Sequence, residues 1–235
     1  MKNRFLFIFI SFTLFTIMAC NKDENTNSLD GATDIKLTEV DSETGVSAIL
    51  NGEPLPKDAV SDVKIISRKD GIVTYNGSIN GNKLTTEQKQ RLLNTLPALV
   101  DYYKPKDASF KLGTNNTIEY TFKVKVTSEG FQHSFIDGKP MTIKYGDPEG
   151  KEYKIKRDNG DELVAKVTEK TGKDDFPYGF FYIKTSKIEF TSPDNDPAFK
   201  KTTARINHKF GLVYLEIEDK DKNNLQMKFF PWHVL

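Results

Sequence analysis

Cysteine is almost absent from this sequence, which carries one, Cys20, at the end of its first apolar run. A single thiol has no partner in the chain for a disulfide, so we expect the folded part to depend on an ordinary hydrophobic core. No thiol is left elsewhere for cysteine–histidine catalysis. The three histidines, His133, His208 and His233, are too far apart in the sequence for a local zinc site.

An excess of charge of either sign is also missing. Lysine and arginine together number 34 against 33 aspartates and glutamates, which gives a net charge of +1. A nucleic-acid partner would need a concentrated basic face, so we expect none. Long apolar runs are missing too, because no stretch after residue 20 approaches the roughly 20 residues of a membrane span.

Catalytic motifs are not found either. The sequence has no glycine-rich loop with phosphate-binding spacing and no serine in a Gly-x-Ser-x-Gly turn. We therefore predict no catalytic residue, no cofactor and no metal site, and we expect that the protein is not an enzyme. Carboxylate pairs for glycoside hydrolysis stay open, because their separation in space decides that reaction.

The N-terminus has the pattern of a secretory signal. Lys2 and Arg4 precede residues 5–18, which carry no charge, and Cys20 follows after one small residue. A basic start, a short apolar run and a small residue are typical of a signal peptide rather than of a membrane span. We interpret residues 1–19 as a signal peptide and the lone cysteine behind it as the acceptor of a lipid anchor.

The residues Ile17-Met18-Ala19-Cys20 resemble the lipobox of bacterial lipoproteins. The resemblance implies that the thiol of Cys20 is diacylated and that the signal is then cut before it, so that Cys20 becomes the mature N-terminus. Each buried methylene of an acyl chain contributes about 0.8 kcal/mol, so several chains would hold a soluble domain at a membrane surface.

The next charged residues, Lys22-Asp23-Glu24, are similar to the export signal of Bacteroidetes-type surface lipoproteins, a lysine followed by two acids. This resemblance implies a location at the outer membrane, on the face turned to the cell exterior. The alternative interpretation is that three charges open a polar tether. The resemblance covers residues 17–24 and implies nothing about the fold.

The remainder divides into a short tether and a longer folded region. Residues 20–33 are mostly polar and have little to bury, so we interpret them as a lipidated flexible tether. Residues 34–235 are interpreted as a single β-rich domain, and the turn-rich segment 136–140 is the best point for a possible subdivision.

Alternation of apolar and polar residues dominates the folded region and predicts strands. The clearest run of alternating apolar residues is Ile118, Tyr120, Phe122, Val124 and Val126. Roughly ten such segments are present, and Asp70-Gly71 and Asn159-Gly160 are typical hairpin turn pairs. The pattern predicts a mostly β (α+β) fold whose strands form an antiparallel sheet, barrel or sandwich.

One segment has helical spacing instead. Thr85 and Gln88 have the spacing of a capping box, and apolar residues then recur at every third or fourth position as far as Tyr103. Pro97 lies inside this run and is expected to kink or split the helix. We expect one amphipathic helix that covers a face or an open end of the sheet, with its apolar stripe in the core.

Two aromatic clusters, residues 176–182 and 229–232, are the candidates for a binding surface. Most of their rings fit buried strand positions. Tyr178, in a predicted loop, and Trp232, just past a predicted strand, are the expected exceptions. Because a flat aromatic face suits a sugar ring or an apolar patch of a partner, we predict Tyr178 and Trp232 as ligand-binding residues.

Acidic residues cluster in two predicted turns. Residues 219–223 begin like a calcium loop, but Asn224 stands where the loop needs a glycine, so a polar hairpin turn is the preferred interpretation. Residues 194–196, with Asp174 and Asp175, could hold a cation through carboxylates, although a rigid loop between two prolines explains them as well.

These features together predict a lipid-anchored envelope or cell-surface binding protein that takes a glycan, a protein or a small apolar molecule as its ligand. Two alternatives stay open. A structural or assembly subunit of an envelope complex predicts an edge strand left free for pairing with another chain. The sequence carries no motif of a hydrolase. A hydrolase would have a cleft in which two carboxylates, or a carboxylate and a histidine, converge.

Overall fold

A computed structural model describes residues 43–60, 63–69, 72–106, 108–127, 129–172, 175–179, 181–191, 199–208 and 210–231. The predicted anchor and export residues, together with Trp232 and the acidic segment 194–196, lie outside the described residues. Within the described ranges, no helix has both the length and the apolar character that crossing a membrane requires.

Strands make up 60% of the structure, and an α-helix of 18 residues, α1 (Thr86–Tyr103), packs on them. The strands are Glu43–Leu50 (β1), Glu53–Pro54 (β2), Val63–Lys69 (β3), Ile72–Asn80 (β4), Ala108–Leu112 (β5), Thr117–Val126 (β6), Gly130–Ile136 (β7), Lys139–Lys144 (β8), Glu152–Lys156 (β9), Glu162–Lys170 (β10), Phe176–Tyr178 (β11), Phe181–Ile183 (β12), Ser186–Thr191 (β13), Phe199–Asn207 (β14), Gly211–Asp219 (β15) and Asn224–Pro231 (β16). Short 3₁₀ turns span Gly81–Lys83 and Thr114–Asn116.

Fourteen strands form one antiparallel sheet in the order β8-β7-β6-β4-β3-β1-β16-β15-β14-β13-β10-β9, with β2 beside β1 and β5 beside β6. Each half of the chain is a meander, and the two meanders join where β1 pairs with β16, from Thr44 opposite Pro231 to Leu50 opposite Leu225. The described strands do not close into a barrel. The predicted class, a mostly β antiparallel fold with one helix packed on it, is confirmed.

The structure contains more strands than the sequence pattern indicates, because several are too short to show alternation. Strands β2, β11 and β12 have two or three residues each. Where alternation is long enough, it separates a buried face from a wet one: Tyr120 and Val124 of β6 are buried, whereas Glu119 and Lys123 are exposed. One core cluster takes buried side chains from both meanders.

Helix α1 begins with the predicted capping box. The side-chain oxygen of Thr85 accepts a hydrogen bond from the N–H of Gln88 at 3.1 Å, and Oε1 of Gln88 accepts one from the N–H of Thr85 at 3.1 Å. The helix continues through Pro97, so the predicted split does not occur. Pro97 is exposed, where water can bind the carbonyl that loses its helical partner.

The helix lies across one end of the sheet, which we call the helix end. Arg91 donates a hydrogen bond to Oδ1 of Asn223 in the β15–β16 turn at 3.0 Å, and the carbonyl of Tyr103 accepts one from the N–H of Asp137 in the β7–β8 turn at 2.7 Å. Leu92 is 0% exposed and belongs to the core cluster. The helix therefore closes an end of the sheet with its apolar stripe turned inward, as predicted.

The opposite end, which we call the hairpin end, carries the small hairpin of β11 and β12. Tyr178 packs on Phe210, just before β15, with ring centroids 4.8 Å apart, and the amide of Asn207 donates to the carbonyl of Lys184 at 2.7 Å. Strands β1 and β15 run in the same direction on either side of β16. Glu43, the first residue of β1, therefore also lies at the hairpin end.

Candidate functional site

The helix end holds a concave surface, which we call the helix-end groove. It lies between α1 and the β15–β16 turn and has a volume of about 180 Å³. Its lining residues are Arg91, Asn94, Thr95, Ala98, Asp219, Asp221 and Asn223. All of these side chains except that of Ala98 carry hydrogen-bond donors or acceptors, so the groove suits a polar ligand.

The two walls of the groove are linked by Arg91. Its guanidinium donates to Oδ1 of Asn223 at 3.0 Å and to Oε1 of Glu87, one helical turn earlier, at 2.6 Å. Asn94 and Asp221, on opposite walls, are exposed. The groove thus has a positioned cation between its walls and accessible polar groups on both of them.

The turn that forms the second wall is the predicted polar hairpin turn, and the structure confirms it. Oδ1 of Asp219 accepts from the N–H of Asn223 at 2.8 Å, and Oδ2 accepts from the Asn223 amide at 2.7 Å. Both carboxylate oxygens of Asp219 are therefore engaged within the turn. Across the described part of the chain, no group of three or more His, Cys, Asp or Glu side chains is arranged to hold a metal ion.

Tyr178, the first predicted ligand-binding residue, does not have the exposed ring that was expected of it. Its side chain is 5% exposed and forms a small cluster with Ile183 and Val213. Burial, with a smaller effect of the nearby Tyr75, raises the pKa of its hydroxyl. Its role in ligand binding stays a prediction, and the observed contacts are those of a packing residue. The second predicted residue, Trp232, lies outside the described residues.

Two other rings of the same hairpin, those of Phe181 and Tyr182, are exposed. Pro177 pairs with Tyr182 and Tyr178 pairs with Phe181 across the hairpin. Directly opposite residues share a face of an antiparallel pair, so Pro177 and Tyr182 form the outer face. Tyr182 is 58% exposed and Phe181, at the rim of the inner face, is 37% exposed. The hairpin register turns Tyr182 outward, and the three residues of β12 are too few to show this in the sequence.

A buried ion pair that the sequence analysis did not identify lies beside the C-terminal end of α1. Arg157, after β9, and Asp137, after β7, are 2.9 Å apart, and their side chains are 5% and 2% exposed. Arg157 also donates to the carbonyl of Tyr102, and its guanidinium lies over the Tyr102 ring at 4.4 Å. The hydrogen bond from Arg157 holds the pKa of Asp137 below its ordinary value. This pair fastens the helix to two turns.

The two described histidines lie in different environments. His133 is 5% exposed, stacks on Phe135 at 4.6 Å and meets the edge of Phe190 at 6.0 Å. Burial lowers its pKa to about 4. His208 is exposed at the hairpin end. The hydrolase alternative, which needs a histidine or carboxylates converging in a cleft, stays an untested prediction.

The assembly alternative concerns edge strands, and β8 and β9, at the two ends of the described path, are two of them. Nζ of Lys139 donates to the carbonyl of Lys156 at 2.7 Å, and the N–H of Lys144 donates to the hydroxyl of Tyr153 at 3.1 Å. Side chains thus bind backbone groups of both edges. Pairing with another chain would have to displace these contacts, so the alternative stays a prediction without a specific observation in its favour.

Comparison with known proteins adds no relative, because no protein family, no curated protein and no solved structure matches this chain. Any function therefore rests on the chain's own residues and their geometry.

Proposed function

We propose that this protein is a lipid-anchored binding protein of the outer membrane, turned to the cell exterior, and that it holds a glycan in the helix-end groove. One observation carries the binding part: a polar concave surface lies at the end of the sheet opposite to the end at which the chain enters β1. Because the predicted anchor, Cys20, precedes β1, the groove lies at the end of the domain farther from the anchor along the fold.

The chemistry of the groove favours a sugar over the other predicted ligands. Sugar hydroxyls both donate and accept hydrogen bonds, and Arg91 donates, Asp221 accepts and Asn94 does both. The volume of about 180 Å³ is smaller than the roughly 300–1,000 Å³ of sites for drug-sized ligands. One sugar ring or the end of a chain fits this size. A small apolar ligand would leave the polar lining without partners.

Asn94 is the residue through which to test the groove, because it is exposed and lines the helical wall. We expect Asn94→Ala to weaken binding of the recognised glycan about tenfold, the equivalent of about 1.4 kcal/mol. A glycan array probed with full-length protein in detergent identifies the glycan, and calorimetric titration measures its affinity.

The matched control is Gln90→Ala, since Gln90 is an exposed amide on the same helix that does not line the groove. Its affinity should equal that of the wild type. An equal loss in both variants, or none in Asn94→Ala, would argue against the groove. If the wild-type protein binds no glycan on the array, the ligand class is wrong and a protein partner becomes the better proposal.

The anchoring part has its own test in cells supplied with a labelled fatty acid. Cys20→Ser should carry no label and should leave the membrane fraction, because the acyl chains supply the membrane affinity. Replacing Asp23 and Glu24 by alanine should keep the label but protect the protein from protease added to whole cells. Label on Cys20→Ser would contradict the anchor, and unchanged protease sensitivity of the second variant would contradict the export signal.

A further inference from the structure

The point at which the chain enters the sheet relates the hairpin end to the predicted anchor. Strand β1 begins at Glu43, at the hairpin end, and residues 21–42 of the sequence separate it from Cys20. The part of the domain that follows the anchor most directly along the chain is therefore the hairpin end. The helix-end groove lies at the other end of the strands.

The hairpin end presents apolar side chains to solvent. Tyr182 is 58% and Phe181 is 37% exposed, and Pro177, beside Tyr182 on the outer face, is exposed as well. In the described part of the chain, the other large hydrophobic side chain exposed to this degree is Leu112. Tyr182 and Pro177 form the outer face and Phe181 stands at the rim of the inner face, so the hairpin presents apolar side chains that suit a non-aqueous contact.

The inner face of the hairpin is already occupied. Tyr178 and Ile183 pack with Val213 in a cluster against which Phe176 also rests. The guanidinium of Arg205 lies over the Phe176 ring at 5.1 Å. These contacts fix the hairpin to the sheet, so the outer face is held in place and its side chains, Tyr182 and Pro177, are not needed for the core.

We infer that the hairpin end rests on the lipid surface that carries the anchor, with Tyr182 and Phe181 at the level of the headgroups. The inference rests on the proposed lipid anchoring. Tyrosine is enriched at membrane–water interfaces because its ring is apolar and its hydroxyl is polar. The tether keeps the domain at a high local concentration near the lipid, so a weak contact of two rings is enough to orient it.

Charge on the described residues does not supply this contact. The exposed charged groups that the structure describes at the hairpin end have both signs, and they include Lys144, Lys184, Glu149 and Asp175. Attraction to anionic lipid requires a basic cluster, so the contact depends on the apolar rings and is insensitive to salt. Docking in this orientation turns the helix-end groove toward the medium.

Tryptophan quenching by bromine on lipid acyl chains tests the inference. The full-length lipidated protein is reconstituted into vesicles of phosphatidylethanolamine and phosphatidylglycerol with brominated chains. Both reporters carry Trp232→Phe to remove the native signal. Tyr182→Trp reports on the hairpin end, and Leu112→Trp is the matched control, because Leu112 is 66% exposed and lies beside the start of β6 at the helix end. We expect the Tyr182→Trp reporter to lose about half of its emission and the Leu112→Trp reporter almost none, at low and high salt.

The outcomes separate the docking from the anchor. Equal quenching of the two reporters, or none of Tyr182→Trp, in protein that sediments with the vesicles would overturn the docking and leave the anchor intact. Failure of the wild-type protein to sediment would overturn both. Adding Cys20→Ser to the Tyr182→Trp reporter should abolish its quenching, and circular dichroism of each variant checks that the fold is unchanged.

Discussion

The two ends of the sheet are closed by different chemistry. At the helix end, charged groups fasten the helix to the turns, most clearly where Arg157 and Asp137 meet at 2.9 Å. At the hairpin end, aromatic rings fasten the β11–β12 hairpin to the sheet, most clearly where the ring centroids of Tyr178 and Phe210 lie 4.8 Å apart. One sheet with one strand pattern therefore has a polar groove at one end and a hairpin with exposed aromatic rings at the other. The strand pattern specifies the core, whereas the connections at the ends specify what each end can contact.

The two ends also differ in how much stability the protein loses when a side chain is removed. Removing one partner of a buried ion pair leaves the other charge in a medium of low dielectric constant, so the loss is large. Removing a ring from an aromatic cluster costs its buried area and leaves a cavity, and removing an exposed ring costs little. Substitutions at the two ends can therefore test whether a buried ion pair closes one end and packed aromatic rings close the other.

The largest effect is expected at the helix end, from Arg157→Ala. This change leaves Asp137, whose side chain is 2% exposed, without its partner, and we expect a loss of about 4 kcal/mol in the free energy of unfolding. Urea denaturation at neutral pH measures it.

The matched control is Lys139→Ala in the neighbouring pair of Lys139 and Asp158, whose side chains are 41% and 65% exposed at a separation of 2.8 Å. Because water screens an exposed pair, the loss should stay below about 1 kcal/mol. Comparable losses in the two variants would contradict the claim that a buried charge pair closes the helix end.

The second effect is expected at the hairpin end, from Tyr178→Ala. Its side chain is 5% exposed, and a loss of about 3 kcal/mol is typical of removing a buried aromatic ring. Tyr182→Ala, at 58% exposure, should change stability by no more than about 0.5 kcal/mol. Urea denaturation measures both. If Tyr182→Ala destabilises as strongly as Tyr178→Ala, the outer face belongs to the core and is not available to lipid.

The parts of the fold that the sequence predicts are those that depend on neighbours in the chain. Alternation in β6 follows from one buried and one wet face, and the capping box of Thr85 and Gln88 needs four consecutive residues. The order of the strands, in contrast, depends on residues that are far apart in the chain. Leu50 lies opposite Leu225, and nothing local to either residue indicates the other. The pairing of β1 with β16, which joins the two meanders, therefore had no signal in the sequence.

The candidate sites were missed for the same reason. The helix-end groove exists because Arg91 and Asn223, far apart in the chain, meet across two elements. The turn around Asp219 was predicted, but it forms a wall of the groove only because α1 lies beside it. The sequence did not indicate that contact. Tyr178 was preferred over Tyr182 because the hairpin register, which turns one ring inward and the other outward, was not assigned. Arg157 and Asp137 are single charges in two turns, and no pattern links them.

The smallest expected effect concerns neither end but the strands between them, and it is a dependence on pH. Burial lowers the pKa of His133 to about 4, below the ordinary value of about 6.5. Between these values the unfolded chain binds a proton that the folded chain does not, so the free energy of unfolding falls as the pH falls through this window. From pH 7 to pH 5 the contribution lost is about 2 kcal/mol.

His133→Gln should remove this part of the pH dependence, whereas His208→Gln, at an exposed position, should keep it. Urea denaturation at pH 7, 6 and 5 measures the difference. The ion pair at the helix end does not obscure the result, because the pKa of Asp137 is held below its ordinary value. Its stabilisation is lost only as the pH falls below about 4 and through the folded pKa. An unchanged pH dependence in His133→Gln would show that the histidine is not the group that titrates on unfolding, and the core around it would then have to be more open to water than its contacts indicate.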